Sequence, residues 1–189
     1  TSEQLAEYKA KQKEYEAEKE GLLRYCNLKT VTKNNVEKQV YGNIGKPEDV
    51  QAVIQNGGEG IGLFRTEFLY MGRNDEPSED EQFEAYSTVA KAMGSKEVVV
   101  RTLDIGGDKE ISYLHIEKED NPFLGHRAIR YCLDNPELYK RQLRAILRAS
   151  QYGNLKIMLP MITCSEEITA AKKIISECIA ELNSECMGV

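Results

Sequence analysis

Two arginines stand at matching places in otherwise different segments. In G62-L-F-R65-T66-E67 and in V98-V-V-R101-T102-L103, an apolar run stops abruptly at Arg-Thr. A guanidinium stays charged at any working pH, and its planar fork grips a carboxylate or phosphate through paired hydrogen bonds. Two such groups side by side repel one another unless an anion sits between them, so the pairing points to a small polyanionic ligand. A third candidate, Arg127, lies in N121-P-F-L-G-H-R-A-I-R130, where a turn-forming Asn-Pro leads into an apolar pair and a glycine. Between them runs D104-I-G-G-D-K109, a glycine-containing loop whose amides could approach an oxyanion, with Lys109 as a further cation. Thr66, Glu67, Asp104, Gly106, Gly107 and Lys109 are the supporting candidates. Asp104 is expected to hold an arginine or lysine in place rather than a metal. The competing reading is that Arg65 and Arg101 pair with Glu67 or Asp104 and tidy a rim.

Other chemistry has weaker support in the residue pattern. His115 and His126 have no partner spacing, and bland placement is expected for both. The five cysteines, Cys26, Cys132, Cys164, Cys178 and Cys186, form no C-x-x-C pair and have no neighbouring histidine to activate a thiolate. They suit free thiols in a reducing compartment, the cytoplasm by default. The chain carries 25 Lys plus Arg against 31 Asp plus Glu, a net charge of −6, without a sustained basic patch, which argues against nucleic acid. No apolar run is long enough to span a membrane.

Arginines can converge only if the elements beneath them place them together. The 189 residues are 41% hydrophobic, enough to bury a core. Residues 2–24 lack proline, are rich in Glu, Lys, Ala and Gln, and predict one long charged helix with a narrow stripe at Leu5, Tyr8, Tyr15 and Leu22. The chain then repeats apolar run, polar turn and amphipathic helix four times, the pattern of βα units on a parallel sheet. The first strand is predicted over 37–44, with a helix opening at Pro47, Val50, Val53 and Ile54 facing inward, and Gly57-Gly58 as its stop. The second strand is G60-I-G-L-F-R-T-E-F-L-Y-M71. Its helix opens with a capping box at Ser78–Glu81, buries Phe83, Tyr86, Val89 and Met93, and ends at Gly94. The third strand is 98–100. Its helix is predicted at 136–150, after a longer excursion, with Leu138, Leu143, Ile146 and Leu147 inward. The fourth strand is 156–162, with a helix capped near Thr163 or Ser165 that packs through Ile168, Ile174, Ile175, Ile179 and Leu182 and carries Cys178 and Cys186. In parallel sheets ligands bind at the carboxyl ends of the strands, and a side-chain period of two puts Leu63 with Arg65 and Val99 with Arg101. Periodicity alone leaves open whether the sheet is doubly wound or part of a barrel.

The segments GIGLFRTEFLYM, SEDEQFEAY, VVVRTLDIGGDKE, NPFLGHRAIR, LRAILRAS and IMLPMI, in that order, resemble the phosphoenolpyruvate (PEP)-binding half of the Enzyme I family of the bacterial sugar phosphotransferase system. The resemblance covers essentially the whole chain. Pyruvate phosphate dikinase and PEP synthase are similar around G-I-G-L-x-R-T-E and remain the alternative, as does a non-catalytic dimerisation module. The resemblance implies an α/β fold: a partial (βα)8 TIM barrel of about four βα units, preceded by the long charged helix. It implies a connector helix over 1–26 and the front half of the PEP-binding barrel over 27–189. By that resemblance Arg65 and Arg101 contact PEP, and Arg127 lies near the same site. It implies Mg2+ in the complete enzyme, with the metal carboxylates and an enolate-protonating cysteine in a later half of the barrel. The phosphoryl-accepting histidine is implied to lie in a separate N-terminal domain that also meets the phosphocarrier HPr, so neither His115 nor His126 inherits that role. The family implies a homodimer. A chain that starts at Thr1 and supplies four of eight βα units, where eight take about 250 residues, is expected to be a piece. Such a piece is expected not to transfer phosphoryl groups alone, and to self-associate through its open sheet edges.

Overall fold

The computed structural model describes residues 1–106, 111, 113, 114, 116, 119–121 and 123–188. Helix α1, Ser2–Leu23, opens with a capping box between Thr1 and Gln4. It buries none of its residues, and the Leu5, Tyr8, Tyr15 and Leu22 stripe is exposed throughout. Four strands follow, β1 (Tyr41–Ile44), β2 (Gly60–Arg65), β3 (Glu97–Arg101) and β4 (Asn154–Met158). They form one parallel sheet in the order β1-β2-β3-β4. Such neighbouring parallel strands need helical crossovers, and these are α2 (Asp49–Gln55), α3 (Glu79–Met93), and the pair α4 (Ile129–Asp134) and α5 (Pro136–Ala149). Helix α6, Ser165–Ser184, closes the order.

Alternation along the strands decides which face packs. Ile61, Phe64, Val98 and Val100 are fully buried against Val50, Tyr86, Val89, Met93, Ala145 and Ile146 of the helices. Leu63, Arg65, Val99 and Arg101 are less buried: on β3 they take the opposite phase of a period of two, while on β2 the register shifts between Ile61 and Phe64, which separates Ile61 from Leu63. A second core forms where Leu103, Ile105, Ile129, Cys132, Leu138, Tyr139 and Leu143 meet Ala171 and Cys178 of α6. The helix layer is also tied electrostatically. Arg144 on α5 reaches Glu79 of α3 at 2.7 Å and Glu181 of α6 at 3.3 Å, while Arg148 meets Glu79 at 2.6 Å.

Several boundaries differ from the sequence pattern, each for a local reason. The first strand begins at Tyr41, because residues 30–38 fold into a small hairpin of their own, with Lys38 N–H donating to Thr30 and a Val31–Glu37 bridge. The first crossover helix begins at Asp49, since the Asp49 carboxylate takes the Gly45 and Lys46 amides at 2.9 and 3.0 Å and turns the chain there. Ile54 is 37% exposed rather than inward, on a short helix that packs over the edge strand β1. The excursion before α5 holds a short helix, α4, that the sequence pattern did not predict. The fourth strand stops at Met158, as Pro160 offers no N–H for a ladder and Met161 takes a φ of 63°. The cap of α6 is Cys164, with Glu167 closing the box. The α6 face runs through Ala171, Cys178 and Leu182, leaving Ile168 exposed and Cys186 beyond the helix end.

The Ser78 capping box holds: the Ser78 amide donates to Glu81 at 2.8 Å and Arg73 adds a second bond at 2.8 Å. The Ser78 amide first, and then Arg73, lower the Glu81 carboxyl from 4.5 to about 2. A carboxyl depressed on folding stabilises the folded state above its unfolded value and loses that contribution as pH falls towards its folded value. Urea midpoints measured from pH 5 to 2.5 are therefore expected to fall more steeply for the wild type than for Glu81→Gln. Parallel slopes would contradict the assignment.

Candidate functional site

The register of β2 and β3 pairs Arg65 directly with Arg101 at their carboxyl ends. Paired residues of neighbouring strands point to the same side of a sheet, so the two guanidiniums start from one rim. The chain leaves the two arginines differently. After Arg65 it turns at once into a single 3₁₀ turn, Thr66–Leu69, which buries Thr66 and Glu67 beneath the rim. After Arg101 it continues without regular secondary structure through Thr102, Leu103, Asp104 and Ile105, all buried.

Arg101 lies between two carboxylates, with Nη2 2.6 Å from Glu67 Oε1 and Nη1 3.0 Å from Asp104 Oδ2. Asp104 uses its other oxygen for Arg127, whose Nη2 and Nε stand at 2.8 and 3.2 Å. One aspartate thus joins Arg101 to Arg127, and all three side chains are at least 85% buried. Gly106 makes this approach possible: its φ is 142°, and a Cβ there would overlap Cβ of Arg127. Ala128, next along, takes a φ of 54° while its amide donates to the Ile105 carbonyl at 3.2 Å, a strained backbone of the kind that gathers at functional sites.

Arg65 is placed differently. Its guanidinium carbon lies 4.7 Å over the Phe68 ring, and among the described residues it has neither an ion pair nor a side-chain hydrogen bond. Its Nε is fully buried and unpartnered there, as is Nε of Arg101. Asp49 is the acid that senses Arg65: its carboxyl sits below the usual value, chiefly through the Gly45 and Lys46 amides, with a small contribution from the Arg65 charge. A half-buried guanidinium facing aromatic rather than carboxylate is an anion-seeking group.

The strand ends are braced from below by a buried polar network. Gln142 of α5 accepts the Leu103 amide at 2.8 Å and donates to the Thr66 hydroxyl at 3.0 Å and the Tyr86 hydroxyl at 3.2 Å. Thr66 in turn donates to the carbonyl of Arg101 at 2.8 Å. Sequence reasoning missed Gln142, and its signal was legible: an amide on the inward stripe of Leu138, Leu143 and Ile146 must find buried partners.

The structure therefore brings together Arg65, Thr66, Glu67, Arg101, Asp104, Gly106 and Arg127. Gly107, Lys109 and His115 lie outside the described residues. His126 is on the surface, its Nε2 2.8 Å from Asp134. The carboxylates at the site are engaged by guanidiniums, and among the described residues no group of three metal-ligating side chains gathers.

The family model of the PEP-utilising enzyme, PEP-binding domain, matches residues 19–189. The phosphoenolpyruvate-protein phosphotransferase of Bacillus subtilis (strain 168) is 55% identical over 177 residues, 94% of this chain and 31% of that protein. The protein of the same name from Priestia megaterium is 54% identical over 189 residues, 100% of this chain and 33% of its own length. That of Staphylococcus aureus is 52% identical over 185 residues, 98% and 32% respectively. The chain spans about a third of the length of these curated relatives.

Proposed function

The chain belongs to the PEP-utilising enzymes, as their PEP-binding domain, and on that premise we propose that its strand-end arginines bind PEP for a phosphoenolpyruvate-protein phosphotransferase. The whole protein would pass the PEP phosphoryl group through a histidine of its own to the phosphocarrier HPr in sugar uptake, in the cytoplasm. No helix among the described residues is long and apolar enough to cross a membrane. The sheet fits the front of a (βα)8 barrel, with residues 1–26 as a connector, Mg2+ held by residues outside this set, and a homodimer as the assembly.

The observation that carries the reading is the register pairing of Arg65 with Arg101, one guanidinium without a carboxylate among the described residues and the other fixed by two. PEP offers a phosphate and a carboxylate. Arg101, immobilised by Glu67 and Asp104, is a preset donor, and Arg65 supplies the uncompensated charge. As the phosphoryl group leaves, fixed cations stabilise the redistributed charge without having to reorient. Names of the relatives favour the phosphotransferase over a dikinase or PEP synthase. Assayed alone, this stretch is expected to bind PEP without phosphorylating HPr.

Calorimetric titration with PEP tests the reading. Arg65→Ala is expected to weaken binding about 10- to 100-fold, the size of one or two lost charge-assisted hydrogen bonds. Unchanged affinity would remove Arg65 from the site.

A further inference from the structure

Arg127 ends a loop that has no strand or helix among its described residues, yet its guanidinium is delivered to Asp104 with close geometry. Three contacts fasten that loop. Glu119 Oε1 accepts the His126 amide at 2.9 Å, and the same carboxylate fills the space beside the Gly125 Cα. The His126 ring meets Asp134 at the end of α4. Arg130, in the first turn of α4, sends Nη1 to the carbonyls of Leu124 at 2.8 Å and Gly125 at 2.6 Å.

Arg130 also looks the other way. Its Nε is 3.9 Å from Glu167 Oε1. Glu167 is fixed in turn, accepting the Thr163 amide at 2.6 Å and the Cys164 amide at 3.2 Å at the start of α6. Those amide bonds, the Thr163 one foremost, with a contribution from Arg130, keep the Glu167 carboxyl below its ordinary value. One side chain therefore joins the loop after β3 to the loop after β4, and the joined loop carries Arg127.

We propose that Arg130 is a positioning residue, tying the 123–127 segment to the start of α6 and so setting where the Arg127 guanidinium stands beside Asp104. A side chain that donates to two consecutive carbonyls fixes both position and tilt of a peptide segment, and Arg127 lies only two residues beyond. Arg130 itself touches no ligand; it acts through Arg127. The proposal rests on the reading of Arg127 as part of a PEP site, and its test separates the two.

Hydrogen exchange followed by mass spectrometry, and calorimetry with PEP, are to be run on the full 189-residue chain as wild type, Arg130→Ala and Arg130→Lys. In Arg130→Ala the 123–128 amides are expected to exchange about tenfold faster, the size of one lost charge-assisted hydrogen bond, while those of α5 keep wild-type protection. PEP affinity is expected to fall about fivefold alongside. Lysine, which donates to the carbonyls but lacks the fork towards Glu167, is expected to recover only part of both losses. Unchanged exchange over 123–128, or faster exchange with wild-type PEP affinity, overturns the proposal. A wild type that binds no PEP would sink the functional reading instead, and the exchange arm would still support or overturn the fastening role.

Discussion

Asp104→Ala is expected to be the most damaging single change to the site, costing about 3–5 kcal/mol of folding stability because it removes the carboxylate that two buried guanidiniums share. Asp104 neutralises Arg101 through one oxygen and Arg127 through the other, and its side chain is 9% exposed. Its removal leaves Arg101 with Glu67 alone and takes from Arg127 the carboxylate that aims it. Urea denaturation measures the loss directly, and a fall in melting temperature of roughly 10 °C should accompany it. A cost below about 1 kcal/mol is the value for an exposed pair, and would mean that the cluster lies in water rather than beneath the rim. PEP binding should collapse in the same variant, since two of three arginines lose their orientation.

The second large effect is expected at Gln142→Leu. Leucine has nearly the same size but leaves the Leu103 amide and the Thr66 and Tyr86 hydroxyls without the partners that Gln142 gives them. A buried polar group left unmade costs about 1–3 kcal/mol, so a total of about 2–4 kcal/mol is expected. The variant should also lose PEP affinity without touching the ligand, because Thr66 and Leu103 flank the two strand-end arginines. Gln142→Glu separates the roles: it retains an acceptor for the Leu103 amide but cannot donate to Thr66. A Gln142→Leu protein of wild-type stability would show that the network is incidental to holding the strand ends.

The parallel sheet and its helices were readable from the chain because each βα unit repeats the same grammar. An apolar run such as Val98–Val100 has no other economical place than a sheet buried by helices, and Ser78 to Glu81 announces a helix start through its own hydrogen bonds. Boundaries failed where local chemistry outweighed periodicity. Pro160 truncates a run that still looks apolar, and the hairpin at 30–38 removes residues from the first strand. The placing of Arg65 and Arg101 at paired strand ends was legible from the shared Arg-Thr ending of two parallel strands. Which carboxylate each arginine takes was not, because both Glu67 and Asp104 are within reach along the chain and only the fold shows Asp104 serving Arg101 and Arg127 together. The role of Arg130 was hidden for a similar reason. Its partners, Gly125 and Glu167, are brought together only when α4 packs beside the start of α6.

The most direct test is a titration of the 189-residue chain with PEP, followed through the side-chain Nε–H signals of its arginines by nuclear magnetic resonance. The Arg65 and Arg101 signals are expected to shift together and saturate at one PEP per chain, while Arg144 and Arg148 on the outer helix layer stay still. Movement confined to the outer arginines, or Arg65 and Arg101 indifferent to saturating PEP, would contradict this.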